Sequence, residues 1–308
     1  MSFGLGFGHG RFRPDSEVQN LKAKEIKILV SQDGVLAPNF LSLLEFETGS
    51  KIQVTVEPEW QKFQANVIAS NGYHLLVAPS HWFRALEQYD QLLRISDLAQ
   101  QLPLSPDFPM SPTSVPIGWF VTEFWRTTSS PPAKFSDIQN FYLFRDESLT
   151  KSRMLSWEKR GDVDLRKKTV HLLQLSELVR TMPTPGTVVE RPHTLPPLSL
   201  QSMLEKVKDA SDLQPGFLTF CIAIPRSSND IELSRSLTQS WFRDPVYANF
   251  LQTSPFASTL TNTERFLAEI RKKASYLRYL EISRYTIVGE WDNVGFERLR
   301  EEYNLVYR

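Results

Sequence analysis

Residues 26 to 80 read IKILVSQDGVLAPNFLSLLEFETGSKIQVTVEPEWQKFQANVIASNGYHLLVAPS, and this stretch decides the fold. Ile26–Val30 is a short apolar strand, broken by Asp33–Gly34 and Pro38. Leu36, Phe40, Leu43, Leu44 and Phe46 then recur at helical spacing, which predicts one apolar stripe. Thr48–Gly49–Ser50 stops that helix. Ile52, Val54 and Val56 alternate with polar residues, the period of a β-strand. A second helix is predicted from Pro58 to Ala69 and a third strand over Tyr73–Val77, ended by Ala78–Pro79–Ser80. Strand, helix, strand, helix, strand at this spacing predicts parallel strands joined by crossover helices. Ligands of such sheets lie beyond the carboxyl ends of the strands. Those ends carry Ser31, Gln32 and Asp33 after the first strand, and Ser80, His81 and Trp82 after the third.

A chain of 308 residues is long enough for one large domain or two lobes. Lys and Arg number 35, as do Asp and Glu, so the net charge is zero. That balance argues against a protein built to grip nucleic acid or an anionic membrane. The single cysteine, Cys221, lies in the apolar run Phe217–Ile224 and reads as a buried thiol. One cysteine allows neither an internal disulfide nor a cysteine metal cluster. His9, His74, His81, His171 and His193 show no HxxxH or HxH spacing, so no metal and no other cofactor is expected. No run of about 18 apolar residues predicts a membrane span. The opening MSFGLGFGHG has neither the basic start nor the continuous apolar core of a signal peptide, and residues 1–20 are expected to be flexible.

Beyond residue 80, a helix is predicted over His81–Tyr89 with Ser80 as its N-cap, and a short turn of helix over Leu92–Ala99. Pro103, Pro106, Pro109, Pro112 and Pro116 predict a loop. Ser114–Phe124 reads as one long strand able to carry the chain from one lobe to the next. Phe141–Phe144 is a further strand, and Ser148 or Thr150 suits the cap of a helix through Met154, Leu155 and Trp157. Lys167–Val179 is read as a helix and Thr181–Pro197 as irregular. Gly216–Pro225 is a strand covered on both faces, because nearly every interior position is apolar. Ser227–Asp230 caps a helix through Trp241, and a short helix spans Val246–Leu251. From Glu264 to Arg308, mixed charge with interspersed apolar residues predicts an amphipathic helix packed on the body.

Several of these residues suit a ligand, and each also suits a plainer role. Asp33 is placed to accept hydrogen bonds at a cleft mouth or to make a turn with its own backbone at Gly34. Ser80 suits anion binding at a helix N-terminus or a simple cap. His81 and Trp82 follow at the same strand end, and Trp119 either stacks on a ligand or packs a hinge. Asp146 and Glu147 form a carboxylate pair after the Phe141–Phe144 strand, or start a helix. Ser202 and Trp157 are weaker candidates. The chain contains no GxSxG, P-loop or HExxH, and no GxGxxG after a strand, so no catalytic mechanism is expected.

The chain resembles the spermidine/putrescine type of extracytoplasmic solute-binding protein that serves ABC transporters. The resemblance runs from about Ile26 to Tyr307, through Ile28–Leu29–Val30, Phe46–Glu47–Thr48–Gly49, Tyr73–Ser80 and Ser114–Trp119. Its most specific part is Ile222–Ala223–Ile224–Pro225 followed by Trp241–Tyr247, with Gly289–Asp292 and Glu301–Tyr303 near the end. The resemblance implies two α/β lobes of the type II periplasmic-binding-protein fold, joined by crossing strands, with ligand held between them. One lobe would comprise 21–118 and 214–308, the other 119–213. The implied ligand-binding set is Asp33, Ser80, His81, Trp82, Trp119, Asp146, Ser202 and Phe220.

The departures from the family shape the expected function. Polyamine pockets use carboxylates for the ammonium groups and aromatics for the methylene chain. The tryptophan and aspartate before the Ile222–Pro225 segment are here Leu218 and Phe220, and the family's Trp–Asn–Gly turn reads Leu200–Gln201–Ser202. Burying a diammonium ligand with too few acids costs several kcal/mol. The expected function is therefore delivery of a small ligand other than a classical polyamine to an ABC permease, by a monomer outside the cytoplasm and without catalysis. The alternative expectation is the same fold reused as a protein-interaction or sensory module with a vestigial cleft.

Overall fold

The computed structural model describes residues 24–106, 108, 111–127, 137–160, 167–192, 204–206, 217–261, 301 and 305–307. The opening βαβαβ unit forms as its periodicities dictate. Strand β1 (Glu25–Val30) runs parallel to β2 (Lys51–Val56) with Ile28 opposite Val54, and parallel to β3 (Leu75–Pro79) with Val30 opposite Val77. Helix α1 (Pro38–Thr48) crosses between β1 and β2, and Gly49 ends it at φ 61°, a left-handed angle that costs glycine little. Helix α2 (Trp60–Ile68) makes the second crossover. Helix α3 (Ser80–Gln88) follows β3 directly; its N-cap is Pro79 with no side-chain cap, so Ser80 is the first helical residue rather than the predicted cap.

Helix α4 (Ser96–Gln101) and the proline-rich loop lead into β4 (Ser114–Thr127), the long crossing strand. Its first half pairs antiparallel with β9 (Phe217–Ala223) and its second half with β7 (Thr187–Pro192) and β8 (Leu204–Lys206). Gly118 is required there, because a Cβ on it would stand 2.6 Å from the Phe256 Cβ. Beyond the crossing come β5 (Asn140–Phe144), α5 (Glu147–Arg160), β6 (Thr169–Leu173) and α6 (Leu175–Arg180). After β9 the chain forms α7 (Ile231–Trp241), capped by the Asp230 carboxylate on the Leu233 N–H, then α8 (Asp244–Thr253) and finally β10 (Leu305–Tyr307).

The described strands join one sheet in the order β10-β6-β5-β7-β4-β9-β3-β1-β2, with β8 on β4. Two parallel runs, β2-β1-β3 and β7-β5-β6-β10, flank the antiparallel crossing pair β4 and β9. This is the mixed α/β, two-lobed arrangement with crossing strands at its hinge. One apolar cluster runs through both halves: Val30, Val77 and Phe220 belong to it together with Phe144, Leu173, Leu175 and Val189. A second cluster covers the other face of β1 and β3 with Trp60, Phe63, Trp82 and Phe83. Among the described residues, no helix is long and apolar enough to cross a membrane.

Four further sequence expectations are corrected. Lys167–Val179 is not one helix but β6 followed by α6. Val170 and Leu172 are buried while Thr169 and His171 are less so, a period of two that an apolar run of this length hides inside a helical pattern. Thr181–Pro197 contains β7, because Thr187–Val188–Val189 are β-branched and Pro192 stands at the strand's end. Ser148 and Thr150 lie inside α5 rather than capping it; the Asp146 carboxylate accepts the Leu149 N–H at 2.9 Å. Within the predicted helix of 264–308, Leu305–Tyr307 is a strand parallel to β6; residues 264–300 and 302–304 lie outside the described residues.

Candidate ligand site between the lobes

The carboxyl ends of the two parallel runs face each other. The loop after β1 meets the segments after β5 and β6, and the first turn of α3 meets the start of α5. Four polar bridges record this. The Gln32 amide donates to the Arg145 carbonyl at 2.7 Å, a buried bond. His81 Nε2 stands 3.1 Å from Asp146 Oδ2. The Asp33 N–H donates to Gln174 Oε1 at 2.9 Å, while Asp33 accepts from Ser176 twice, through its carbonyl at 3.1 Å and its carboxylate at 2.5 Å. Arg145 reaches Glu59, the N-cap of α2, at 3.5 Å. Gly34 makes the approach possible: a Cβ there would meet the Ser176 nitrogen at 2.8 Å, and its φ of +86° disfavours any side chain.

The charges beneath these bridges are paired. Arg153 donates from both terminal nitrogens to Glu190, and one of them also reaches Thr122 Oγ1 at 3.0 Å. Glu190 Oε2 in turn accepts the Phe144 N–H at 2.6 Å, which fixes the last residue of β5. The Arg153 guanidinium lies 5.3 Å from the Phe124 ring centroid. Burial pushes the Asp146 carboxyl up, but the His81 ring, the Leu149 N–H and Arg153 together hold it below the usual carboxylate range. On the same strand end and helix start, Ser31 Oγ, Gln32 Oε1, Ser148 Oγ and Thr150 Oγ1 are buried neutral polar atoms without a hydrogen-bond partner. Buried polar groups are rarely left so.

The residues singled out in the sequence divide into two sets. Asp33 meets Gln174 and Ser176 across the cleft and His81 meets Asp146, with Ser80 beside His81 at the start of α3. Trp82 packs edge-on against Trp60 and Phe63, with ring centroids 5.4 and 5.1 Å away. Trp119 donates its indole N–H to the Ser258 carbonyl at 3.0 Å and is buried. Phe220 is wholly buried, stacked near Phe120 and tilted against Phe256. Ser202 lies outside the described residues. Sequence reasoning missed Gln174 and Ser176, because the strand that ends before them was read as helix. It also missed the Arg153–Glu190 pair, whose partners come from an unremarkable helix and a segment read as irregular. The signal for Ser31 and Gln32 was present in their place after an apolar strand.

No family model matches the sequence, and no curated protein matches it. Solved structures do. A spermidine/putrescine ABC transporter protein from Listeria monocytogenes superposes with a TM-score of 0.67 at 13% identity, covering 92% of this chain and 98% of that one. The spermidine/putrescine substrate-binding protein of Streptococcus pneumoniae gives 0.64 at 9% identity, with the same coverage. An agropinic acid-binding protein of Agrobacterium tumefaciens gives 0.60 at 10%, covering 91% and 99%. At these identities the likeness carries the fold, and the ligands named for these neighbours differ among them.

Proposed function

We propose that this chain is a non-catalytic solute-binding protein that holds a small ligand between its lobes and presents the closed form to an ABC permease outside the cytoplasm. The observation that carries this reading is the meeting of strand carboxyl ends across the cleft, with buried neutral polar atoms among the bridges. Ligands of open α/β sheets lie at that place. The division into 21–118 with 214–308 and 119–213 follows from the same reading, with β10 added to the second lobe because it hydrogen-bonds to β6. Asp33, Ser80, His81 and Asp146 would border the ligand, whereas Trp82, Trp119 and Phe220 would hold the walls behind it. Rotation about β4 and β9 would open the site, and ligand would favour the closed state by differential binding.

The test is a thermal-shift screen of the purified chain against sugars and polyols, amino acids, organic acids and polyamines. A ligand at 100 times its Kd adds about 2.7 kcal/mol of stability, a clear rise in Tm. A selective rise with one class supports solute binding. No rise with any class removes this reading and favours the interaction module, for which the next measurement is a pull-down.

A further inference from the structure

We infer that the cleft is built for a small neutral, hydroxyl-bearing solute, a polyol or sugar-like molecule, and not for a cation or an anion. The inference rests on the solute-binding reading above and names its ligand class. Three observations carry it.

First, the buried charged side chains around the cleft already face polar partners. Asp146 stands against His81, Glu190 takes Arg153 at both of its terminal nitrogens, and Arg145 reaches Glu59. Asp33 is exposed at the rim, bonded to Ser176. An ammonium group entering this interior would lose its hydration and compete for carboxylates already engaged by His81, Arg153 and Arg145. Phe220, which is wholly buried among aromatic rings, offers it nothing.

Second, the start of α5 is closed to anions. Its first turn would be the natural seat for a carboxylate or phosphate. Asp146 occupies it, accepting the Leu149 N–H on its side chain and the Thr150 N–H on its carbonyl. A ligand anion would lie beside that ionised carboxylate.

Third, outside the His81–Asp146 and Arg145–Glu59 contacts, the unpartnered polar atoms here are neutral. Ser31, Gln32 and Ser148 are each at least nine-tenths buried, and Ser31 Oγ, Gln32 Oε1 and Ser148 Oγ have no partner. The Gln32 bond to the Arg145 carbonyl and the His81–Asp146 bridge bring the end of β1 to the first turn of α5, so these atoms belong to one region. The Gln32 amide nitrogen is committed, which leaves its oxygen as an acceptor only, while the two serine hydroxyls both donate and accept. A ligand hydroxyl also does both, and a short run of hydroxyls satisfies such a set without bringing charge into it.

The experiment is isothermal titration of the full chain with glycerol, ribitol and ribose as neutral probes, beside spermidine and citrate, each at low and high salt. The expected result is heat with at least one neutral probe, a Kd unchanged by salt, and none with spermidine or citrate. Ser31→Ala and Ser148→Ala are titrated alongside. Each should weaken the bound probe about 3- to 10-fold, the worth of one hydrogen bond. Each should leave the unliganded Tm unchanged or raised, because an unpaired buried hydroxyl is removed. A serine serving only the fold would lower that Tm and leave Kd alone, which overturns the assignment. Binding of spermidine or citrate but of no neutral probe overturns the ligand class while solute binding stands. Silence from every probe, together with a flat thermal-shift screen, overturns both.

Discussion

Gly34→Ala should hold the lobes apart while leaving each lobe folded. Two separate costs follow from the structure. The backbone cost comes from φ +86°, where an L side chain loses about 1–2 kcal/mol. The steric cost exists only when the cleft is shut: the new Cβ would stand 2.8 Å from the Ser176 nitrogen and 3.0 Å from its Cα, both backbone atoms. Restoring ordinary contact means a retreat of roughly 0.5 Å or more by α6, since close carbon contacts lie near 3.5 Å. That movement strains the Ser176 N–H to Asp33 bond at 3.1 Å, the Ser176 hydroxyl bond at 2.5 Å and the Asp33 N–H to Gln174 bond at 2.9 Å. Exposed bonds fall at the low end of about 0.5 kcal/mol each. Their joint loss, about 1.5 kcal/mol, shifts the closing equilibrium about tenfold toward the open form.

Gly49→Ala is the matched control. Gly49 has φ +61° with nothing within 4 Å of the added Cβ, so the substitution carries a backbone cost without the clash. The assay is small-angle scattering of both variants and the parent chain, with Tm measured on the same samples. Both variants should lose a comparable amount of Tm. Gly34→Ala alone should increase the radius of gyration and weaken any cleft ligand about tenfold. If the two variants scatter alike and bind alike, the Asp33–Ser176 contact does not govern closure, and the reasoning from Gly34 fails.

Three further outcomes follow from the buried chemistry. Arg153→Met strands the Glu190 carboxylate in the interior and should cost about 3–5 kcal/mol in urea unfolding, whereas the double change with Glu190→Met should recover much of that loss. His81→Gln removes one of the groups that hold the Asp146 carboxyl low, so that carboxyl should titrate higher in a carbon NMR titration. Because the folded pKa of Asp146 is depressed, its contribution to stability is full above the ordinary carboxylate pKa and is lost as pH falls through the lower folded value; His81→Gln should shrink that acid-labile part. Cys221 is buried, and burial pushes its thiol up to about 12, so a thiol reagent at pH 8 should label the chain only in denaturant.

The first lobe was legible because each of its elements has one dominant period. Ile52, Val54 and Val56 alternate, Phe40 and Leu44 repeat at helical spacing, and Gly49 stops α1 where an L residue would strain. The middle of the chain was less so. In Thr169–Leu173 the buried positions satisfy either period over so short a run, and Pro183, Pro185 and Pro192 around β7 look like breakers although the strand lies between them. Site legibility followed the same division. Asp33 and His81 stand after clearly read strands, and Asp146 after another. The Asp33 partners Gln174 and Ser176 stand after a strand hidden in a helical pattern, so that contact across the cleft is not legible. Trp82, Trp119 and Phe220 show the opposite difficulty, since an aromatic at a strand end or crossing suits a ligand and a core alike, and only packing separates the two.

The distribution of contacts also indicates which of them a hinge motion can break. Phe120, on β4, and Phe220, on β9, lie near each other with Phe256 against both rings. These residues sit on or against the crossing strands, where rotation displaces atoms least, so this aromatic cluster can persist as the lobes part. Trp119 is held there as well, through the Ser258 carbonyl and a backbone bridge to Ala257. The Gln32, Asp33 and His81 bridges lie beyond the strand ends, away from those strands, and each joins one lobe to the other. Opening exchanges these polar bridges for water and also parts apolar contacts of the cluster that runs through both halves, such as those of Val35 and Leu175, while the aromatic contacts on the crossing strands stay intact. Exchange of protein for water partners costs little per bond, so the polar bridges themselves oppose opening only weakly, and the larger cost of opening lies in the shared apolar cluster.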